Sequence, residues 1–373
     1  MSASAPSHSQ ESHRLSLIAR ARESVLQARG VAPATLGSDI ARSWERCLAM
    51  GHSPDAPVSF NAVSKADVQR VLDSSRALRL AASPVMRTLT RAMLHTRYFA
   101  VLTDAHGTVI DVHGPVDRNE APAAALARIG IDLSEAAVGT TAIGTTLAEQ
   151  QPVWLHRGEH FFNDNASFSC AGAPIWGPSG RCVGMLDLTG VNVPERPALK
   201  HLVTQSARSI ENALTLEQPH RLLLRLNWPG RMLGDDNDGL VCLDGDGYVT
   251  GMNRPAMELL DQLILEAAVH SDSLFAMDHA ELFDAARQHR GAFEIPLWSG
   301  LRLLALAQQQ TSDTVPHGPG THTGHGLPLR DYEISLIRKA VEDARGNVAE
   351  AAKALGISRA TVYRRLKAKK SIA

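Results

Sequence analysis

Arg359, Thr361, Arg364 and Arg365 fall close together near the C-terminus, with Ser358 and Tyr363 among them and Lys367, Lys369 and Lys370 behind. Guanidinium forks suit phosphate oxygens and base edges, and a hydroxyl serves either, so this clustering points to a nucleic-acid contact. A second set has another chemistry. Trp154, Phe161, Phe168, Trp176 and Met185 offer apolar walls, and Thr140, Thr141, His160 and Asp187 offer a few polar groups, the mixture that lines small-molecule pockets. Taken singly, each of those aromatics reads better as core.

The basic cluster needs a helix to aim it. From Asp331, Ile334, Ile337, Ala340, Val341 and Ala344 recur on one helical face, and Arg345-Gly346 supplies a stop. Asn347 caps a second helix with Glu350 three residues on, Gly356 makes a turn, and Ser358 caps a third helix that carries Val362 and Leu366 inward. Two short helices across a glycine turn are a helix-turn-helix, whose last helix enters a major groove. Residues 330–373 hold 11 Lys/Arg against 5 Asp/Glu, while the whole chain is formally −1. The positive charge is therefore local, as in a DNA-reading module joined to a body that does not bind DNA. The stretch NVAEAAKALGISRATVYRRLKAK resembles the Fis-type helix-turn-helix that ends many bacterial enhancer-binding regulators.

The pocket set needs a sheet. YFAVLTDAHGTVIDVHG reads as a hairpin around Asp104 to Gly107, and Cys170–Trp176 with Arg181–Leu188 reads as a second hairpin around Gly177-Pro-Ser-Gly180. Leu199, Leu202, Val203, Ala207, Ile210 and Leu214 mark a closing helix. Ahead of the first hairpin, helices are expected over Leu15–Ala28, around Ile40, Trp44 and Cys47, and over Ser64–Arg97. The last of these should bury Val68, Val71, Leu72, Leu78, Leu80, Val85, Leu89, Met93 and Leu94. Arg42 and Arg46 read as the solvent face of the helix that packs Trp44 inward.

DIARSWERCLAMGHSPD, VGTTAIGTTLAEQQPVWLHRGEHFF and APIWGPSGRCVGMLDLTG together resemble the acetoin-type (AcoR-like) regulators, in which a helix of the form S-W-x-R-C precedes a GAF sensory domain. Thr141 stands where that family usually has Asn, and Gly177 where it usually has an acidic residue. DGLVCLDGDGYVTGMNRPAMELL is similar to the opening of a PAS domain, with Asn253 as a helix cap. The resemblance implies an α+β multidomain chain. Its parts are an N-terminal helical segment (1–80), a GAF-like antiparallel-sheet sensor (81–217), a short PAS-like α+β domain (218–306), a Gln/His/Gly-rich flexible linker (307–329) and an all-α helix-turn-helix (330–373).

That family usually carries an ATPase between sensor and helix-turn-helix. No G-x-x-x-x-G-K-[ST] loop occurs, and no lysine lies between Lys200 and Lys339. A regulator acting without its own ATPase is expected: a homodimer on a palindromic operator in double-stranded DNA, responding to an unidentified small-molecule effector. It would touch RNA polymerase or a full-length, ATPase-containing relative. No bilayer-length apolar run and no apolar signal core are present, which points to the cytoplasm. Cys47, Cys170, Cys182 and Cys242 have neither disulfide-scaffold nor zinc-finger spacing.

Other classes remain open to the sequence. His156 and His160 ahead of Cys170, or His317, His322 and His325 in the linker, raise metal or redox sensing with a bound cofactor such as haem. No metal ligand set is expected, since an HxxxH pair aligns only on a helix. Asp244 and Asp246 make half a calcium loop, which a hairpin turn explains. Ser169 or Cys170 near His160 would be an enzyme's nucleophile and base, but no nucleophile elbow accompanies them, so no catalytic residue is assigned. A nucleoid-type structural DNA protein would leave the sensors unexplained.

Overall fold

The computed structural model describes residues 8–27, 36–60, 63–262, 264–265, 268–288, 291–309 and 347–348. The chain divides into Met1–Thr311 and Ser312–Ala373. The expected helix-turn-helix, with Ser358, Arg359, Thr361, Tyr363, Arg364, Arg365, Lys367 and Lys369, and most of the linker lie outside the described residues.

The chain opens with α1 (His8–Arg22), which ends in a wide π turn over Glu23–Gln27, followed by α2 (Ser38–Ala49). Ser64 then caps α3 (Lys65–Ser74), accepting from the Asp67 amide at 3.1 Å, and α4 (Arg76–Met93) follows at once. Burial on α4 runs through Leu78, Ala82, Met86, Leu89 and Met93, one stripe at helical spacing. That stripe turns Leu80 and Leu94 outward, 59% and 55% exposed, where sequence reading had both inside. Because α4 crosses residue 80 and packs on the sheet that follows, the helical segment and the sensor share one core, with no boundary at 80/81.

Five antiparallel strands form the first sheet: β1 (Tyr98–Asp104), β2 (Val109–His113), β3 (Val153–His156), β4 (Phe168–Trp176) and β5 (Cys182–Val191), in the order β2-β1-β5-β4-β3. Between β2 and β3 lie α5 (Ala121–Leu126), α6 (Glu135–Val138) and α7 (Ala142–Glu149). Asp104 closes the β1–β2 turn by accepting from the amides of His106 and Thr108, both at 2.9 Å. Strand side chains alternate between two buried faces. Phe99, Val101, Leu155, Cys170 and Met185 face α2 and the cross-connection, whereas Tyr98, Ala100, Leu102, Ala171, Leu186 and Leu188 face α4 and α8 (Leu199–Leu216). A sheet covered on both sides has no polar row, which is why its strands read as continuous apolar runs.

From α8 the chain turns into a second sheet of β6 (Leu222–Asn227), β7 (Gly239–Leu243), β8 (Val249–Met252), β9 (Phe293–Pro296) and β10 (Arg302–Gln309), in the order β8-β7-β6-β10-β9. Its helices are α9 (Arg254–Leu259), α10 (Ser271–Leu274) and α11 (His279–Arg287). β7 and β8 pair across the hairpin turn expected at Asp244 and Asp246, and β9 pairs with β10. β6, which sequence reading passed over, takes the centre. β10 runs to Gln309, so the first linker residues are strand. Asn253 caps α9, accepting from the Ala256 amide at 3.0 Å and the Leu240 amide at 2.7 Å.

Candidate functional site

The wall of the candidate site is the segment from Val138 to Ile143, and Gly139 within it and Gly144 just after it are forced. Gly139 sits at φ +67, where a Cβ would also lie 2.8 Å from the Phe162 ring, and a Cβ on Gly144 would lie 2.8 Å from the Glu135 amide nitrogen. Thr141 caps α7 by accepting from the Gly144 amide at 3.1 Å.

Helix α2 clamps this wall with every specified residue of its S-W-x-R-C phrase. Ser43 Oγ donates to Thr140 Oγ1 or to the Glu135 carboxylate, 2.7 and 2.5 Å away. Trp44, fully buried, donates from Nε1 to the Glu159 carbonyl at 2.9 Å. Arg46 grips Glu135 with two bonds of 2.7 and 2.8 Å and reaches Glu149 at 2.7 Å. Cys47 Sγ lies 3.4 Å from Thr140 Oγ1. Arg42 also pairs with Glu149. Sequence reading took Arg42 and Arg46 as a plain solvent face. The structure makes them the ion pairs that fasten α2 to α6 and α7, and the fork–fork geometry on Glu135 fixes the angle.

Behind the wall lies a cavity of about 20 Å³, room for roughly one water. Thr141, His160, Phe168 and Asp187 line it together with Phe60, Leu126, Leu133, Val138, Ala142, Ile143, Asn165, Cys170 and Thr189. Its polar groups are set by their neighbours. Burial pushes the Asp187 carboxyl up to about 7 against the pull of the Thr189 hydroxyl, which donates to Oδ2, while Oδ1 has no partner. His160 Nδ1 lies 2.8 Å from the Arg157 carbonyl, so that nitrogen carries the proton. Burial lowers the pKa of this imidazole to about 4, and the unprotonated Nε2 has no partner. Asp187 in its protonated form carries the proton on Oδ1, since Oδ2 accepts from Thr189. A donor on Asp187 and an acceptor on His160 thus both stand without a partner on residues that line this mostly apolar space, an arrangement costly unless something pairs with them.

The other five expected pocket residues lie elsewhere. Thr140 is turned to α2, Phe161 packs edge-on against Phe162, and Met185 fills the core beneath Gly172. Trp154 is on the opposite sheet face, stacked on His156. Trp176, at the end of β4, lies under the Arg254 guanidinium, 4.6 Å from the ring centroid. Strand alternation separates Trp154 from Phe168, which no aromatic count reveals, whereas Met185 shares the face of Cys170 and Phe168, and Thr140 and Phe161 are on no strand. Cys170 and Thr189 were within reach of that logic, because in β4 and β5 they sit beside Phe168 and Asp187 with the same period of two.

His156 and His160 do not converge on a metal. His156 Nδ1 lies 2.8 Å from Ser169 Oγ, and burial lowers its pKa to about 4. Ser169 is thus paired with a histidine, but both are fully buried and neither meets the cavity. The Cys170 thiol, beside Asp187, is pushed well above its ordinary value by burial and by that carboxylate. It is a protonated core thiol, the reverse of what redox chemistry needs.

The described residues before 310 thus form two five-stranded antiparallel sheets with their covering helices. The model of the MimR N-terminal domain matches residues 16–212, more than half of the chain, and the Fis-family bacterial regulatory protein model matches 328–368. The chain belongs to the MimR N-terminal domain family. It is 27% identical to the acetoin catabolism regulatory protein of Cupriavidus necator, over 77% of this chain and 45% of that protein. It is 26% identical to the propane 2-monooxygenase operon transcriptional activator MimR of Mycolicibacterium smegmatis, over 84% of this chain and 52% of that protein. The chain thus spans about half the length of these relatives. Among solved structures, the Escherichia coli DhaR(N)–DhaL complex matches at 14% identity and a TM-score of 0.46, over 74% of this chain and all of that one. The first of these relatives is named as a regulatory protein and the second as a transcriptional activator, and no helix among the described residues is long and apolar enough to cross a membrane.

Proposed function

We propose that this chain is a ligand-responsive, sequence-specific DNA-binding regulator that works without an ATPase of its own. The observation that carries the reading is the cavity behind Val138–Ile143, where two buried polar atoms, Asp187 Oδ1 and His160 Nε2, stand without partners. A protonated carboxyl beside a neutral imidazole acceptor in an apolar shell selects a small molecule that both accepts and donates hydrogen bonds, such as a short alcohol, diol or hydroxyketone. The present space of about 20 Å³ is too small for one, so binding requires the wall to move. The wall hangs on α6 and α7, which α2 holds, and any displacement is felt there first. The relatives named for acetoin catabolism and for a propane 2-monooxygenase operon set the size of compound to try first.

The Fis-family match at 328–368 supports the DNA half of the reading and contains every expected contact residue except Lys369. One such module makes few contacts, so a palindromic operator bound by a homodimer follows. Leu80 and Leu94, exposed on the outer side of α4, supply apolar surface for the second copy. The second sheet serves as a PAS-like connector, and RNA polymerase, or a full-length relative bearing an ATPase, is the downstream partner.

The test is selection of bound duplexes from a random pool at near-physiological salt, repeated with Arg359→Ala/Arg364→Ala. A palindromic site recovered by the parent and lost by the variant is expected. Effectors are then screened on that site, with Asp187→Asn as the control. No enriched site with folded protein, with or without the compound series, would overturn the proposal.

A further inference from the structure

The second sheet carries a group of side chains that neither the cavity nor the DNA-reading segment uses. His270, Asp272 and His279 bring one ligand atom each to within 4.8 Å of one another, from the approach to α10, its first turn and the start of α11. We infer that His270, Asp272 and His279 form a site for a borderline divalent cation such as Zn²⁺, completed by water.

Orientation supports ligation at each member. His270 Nε2 is 2.9 Å from the Asp246 carbonyl, which can only accept, so the proton is on Nε2 and Nδ1 is an acceptor, reached at 3.3 Å by the Asp272 amide. A backbone carbonyl holding the far nitrogen is the usual support behind a metal-bound imidazole. That carbonyl is fixed in turn, because the Asp246 amide donates to Asp244 Oδ1 at 3.0 Å in the β7–β8 turn. The same turn disposes of the half calcium loop, since Asp244 is occupied by backbone amides. His279 Nδ1 is shielded from solvent and makes no hydrogen bond, yet lies 3.3 Å from Asp278 Oδ1 and 3.8 Å from Asp272 Oδ1. Asp272 Oδ2 is 3.4 Å from His270 Nδ1. Ligands at zinc distances on a tetrahedron stand roughly 3.3 Å apart, so each imidazole is close to that spacing from one Asp272 oxygen, Oδ2 for His270 and Oδ1 for His279, and the three residues must draw in from within 4.8 Å to share an ion. The imidazole rings meet edge to face at 5.1 Å between centroids, and an ion would replace the long 3.3 Å bond by which the Asp272 amide donates to His270 Nδ1. Gly247 keeps the turn clear, since a Cβ there would lie 2.8 Å from His270 Nε2. Two imidazoles and a carboxylate favour zinc, nickel or cobalt over calcium or magnesium. An ion here would tie the β7–β8 turn to α10 and α11, stiffening a connection otherwise held by single hydrogen bonds.

The experiment is calorimetric titration of the metal-stripped full chain with Zn²⁺, with Co²⁺ absorption reporting geometry. Four variants are compared: Asp272→Asn, His279→Gln, His270→Ala/His279→Ala, and His317→Gln/His322→Gln/His325→Gln. Circular dichroism checks folding, and His279→Gln leaves the His270 contact to Asp246 in place if the double variant unfolds. The expected result is one ion per chain, weakened at least tenfold by His279→Gln and by Asp272→Asn and unchanged by the linker triple variant. Unchanged affinity in His279→Gln and Asp272→Asn, binding lost only in the linker variant, or no uptake by the parent would each overturn the site.

Discussion

Replacing Asp187 by Asn should change the pH dependence of stability more than stability itself. The carboxyl is fully buried, and burial raises its pKa from 3.8 to about 7. A raised folded-state pKa favours the protonated form, so the stability it contributes is complete below pH 3.8 and is lost as pH rises through about 7. Between about pH 5 and pH 8 the unfolded chain gains about 4 kcal/mol from ionising this group, the folded chain gains about 1.4, and the difference of roughly 3 kcal/mol is lost by the parent alone. Asparagine has the same shape, accepts from Thr189 and does not titrate. Urea unfolding at both pH values, parent against variant, isolates the effect, because His156 and His160 contribute alike to each protein. The variant should gain about 2–3 kcal/mol on the parent at the higher pH relative to the lower. An equal difference at both values would mean that Asp187 is charged and solvated in the fold, and the argument for a protonated carboxyl awaiting a partner in the cavity would fail with it.

Trp44→Ala removes a fully buried indole and its bond to the Glu159 carbonyl, so a loss of about 3–5 kcal/mol in urea unfolding is expected, against a much smaller loss for Trp44→Phe. Cys170 should resist a thiol reagent in the native protein and react at the rate of global unfolding, because its thiol is buried and held protonated; rapid labelling at that residue by mass spectrometry would contradict this. Leu80→Glu/Leu94→Glu should lower the dimer fraction in sedimentation without changing the circular dichroism, and an unchanged dimer would place the interface elsewhere.

What the sequence could show was set by whether a signal is local. The two hairpins of the first sheet, the Asp104 turn and the Asn253 cap are dictated within a few residues, and each forms where turn and capping chemistry puts it. β6 was missed because Leu222-Leu-Leu-Arg-Leu has no flanking turn signature and gains strand character only from its neighbours β7 and β10. The clamp by α2 was missed for a related reason: Arg46 and Glu135 are separated by 89 positions, and nothing near Arg46 distinguishes an ion pair from a solvated cation. Trp154 and Phe168 looked alike in sequence. Only the strand register, Trp154 against Ala171, shows that they serve opposite faces.

That register also gives a route by which the cavity can be felt at a distance. Asp187 on β5 faces the cavity, while its neighbours Leu186 and Leu188 face the layer of α4 and α8; Cys170 and Ala171 on β4 divide in the same way. A wall that opens must shift these strands, and α8 rests directly on their other side. The next step is polar. Glu211 accepts from the Trp176 amide at 3.0 Å, while Asn212 accepts from Asn253 at 2.7 Å and donates to the Asp236 carbonyl at 3.0 Å. Asn253 is itself the cap of α9, so one turn of α8 is bonded to both sheets. Apolar packing alone would let α8 slide; a bonded amide pair has two discrete states, made or broken, and a discrete state is what coupling between sites requires. Asn212→Ala should therefore weaken the effect of a bound effector on operator affinity while leaving effector affinity within about threefold, since the residue is on the far side of the sheet from the cavity. If effector and operator remain fully coupled in that variant, α8 carries no signal and the two sheets communicate by another path.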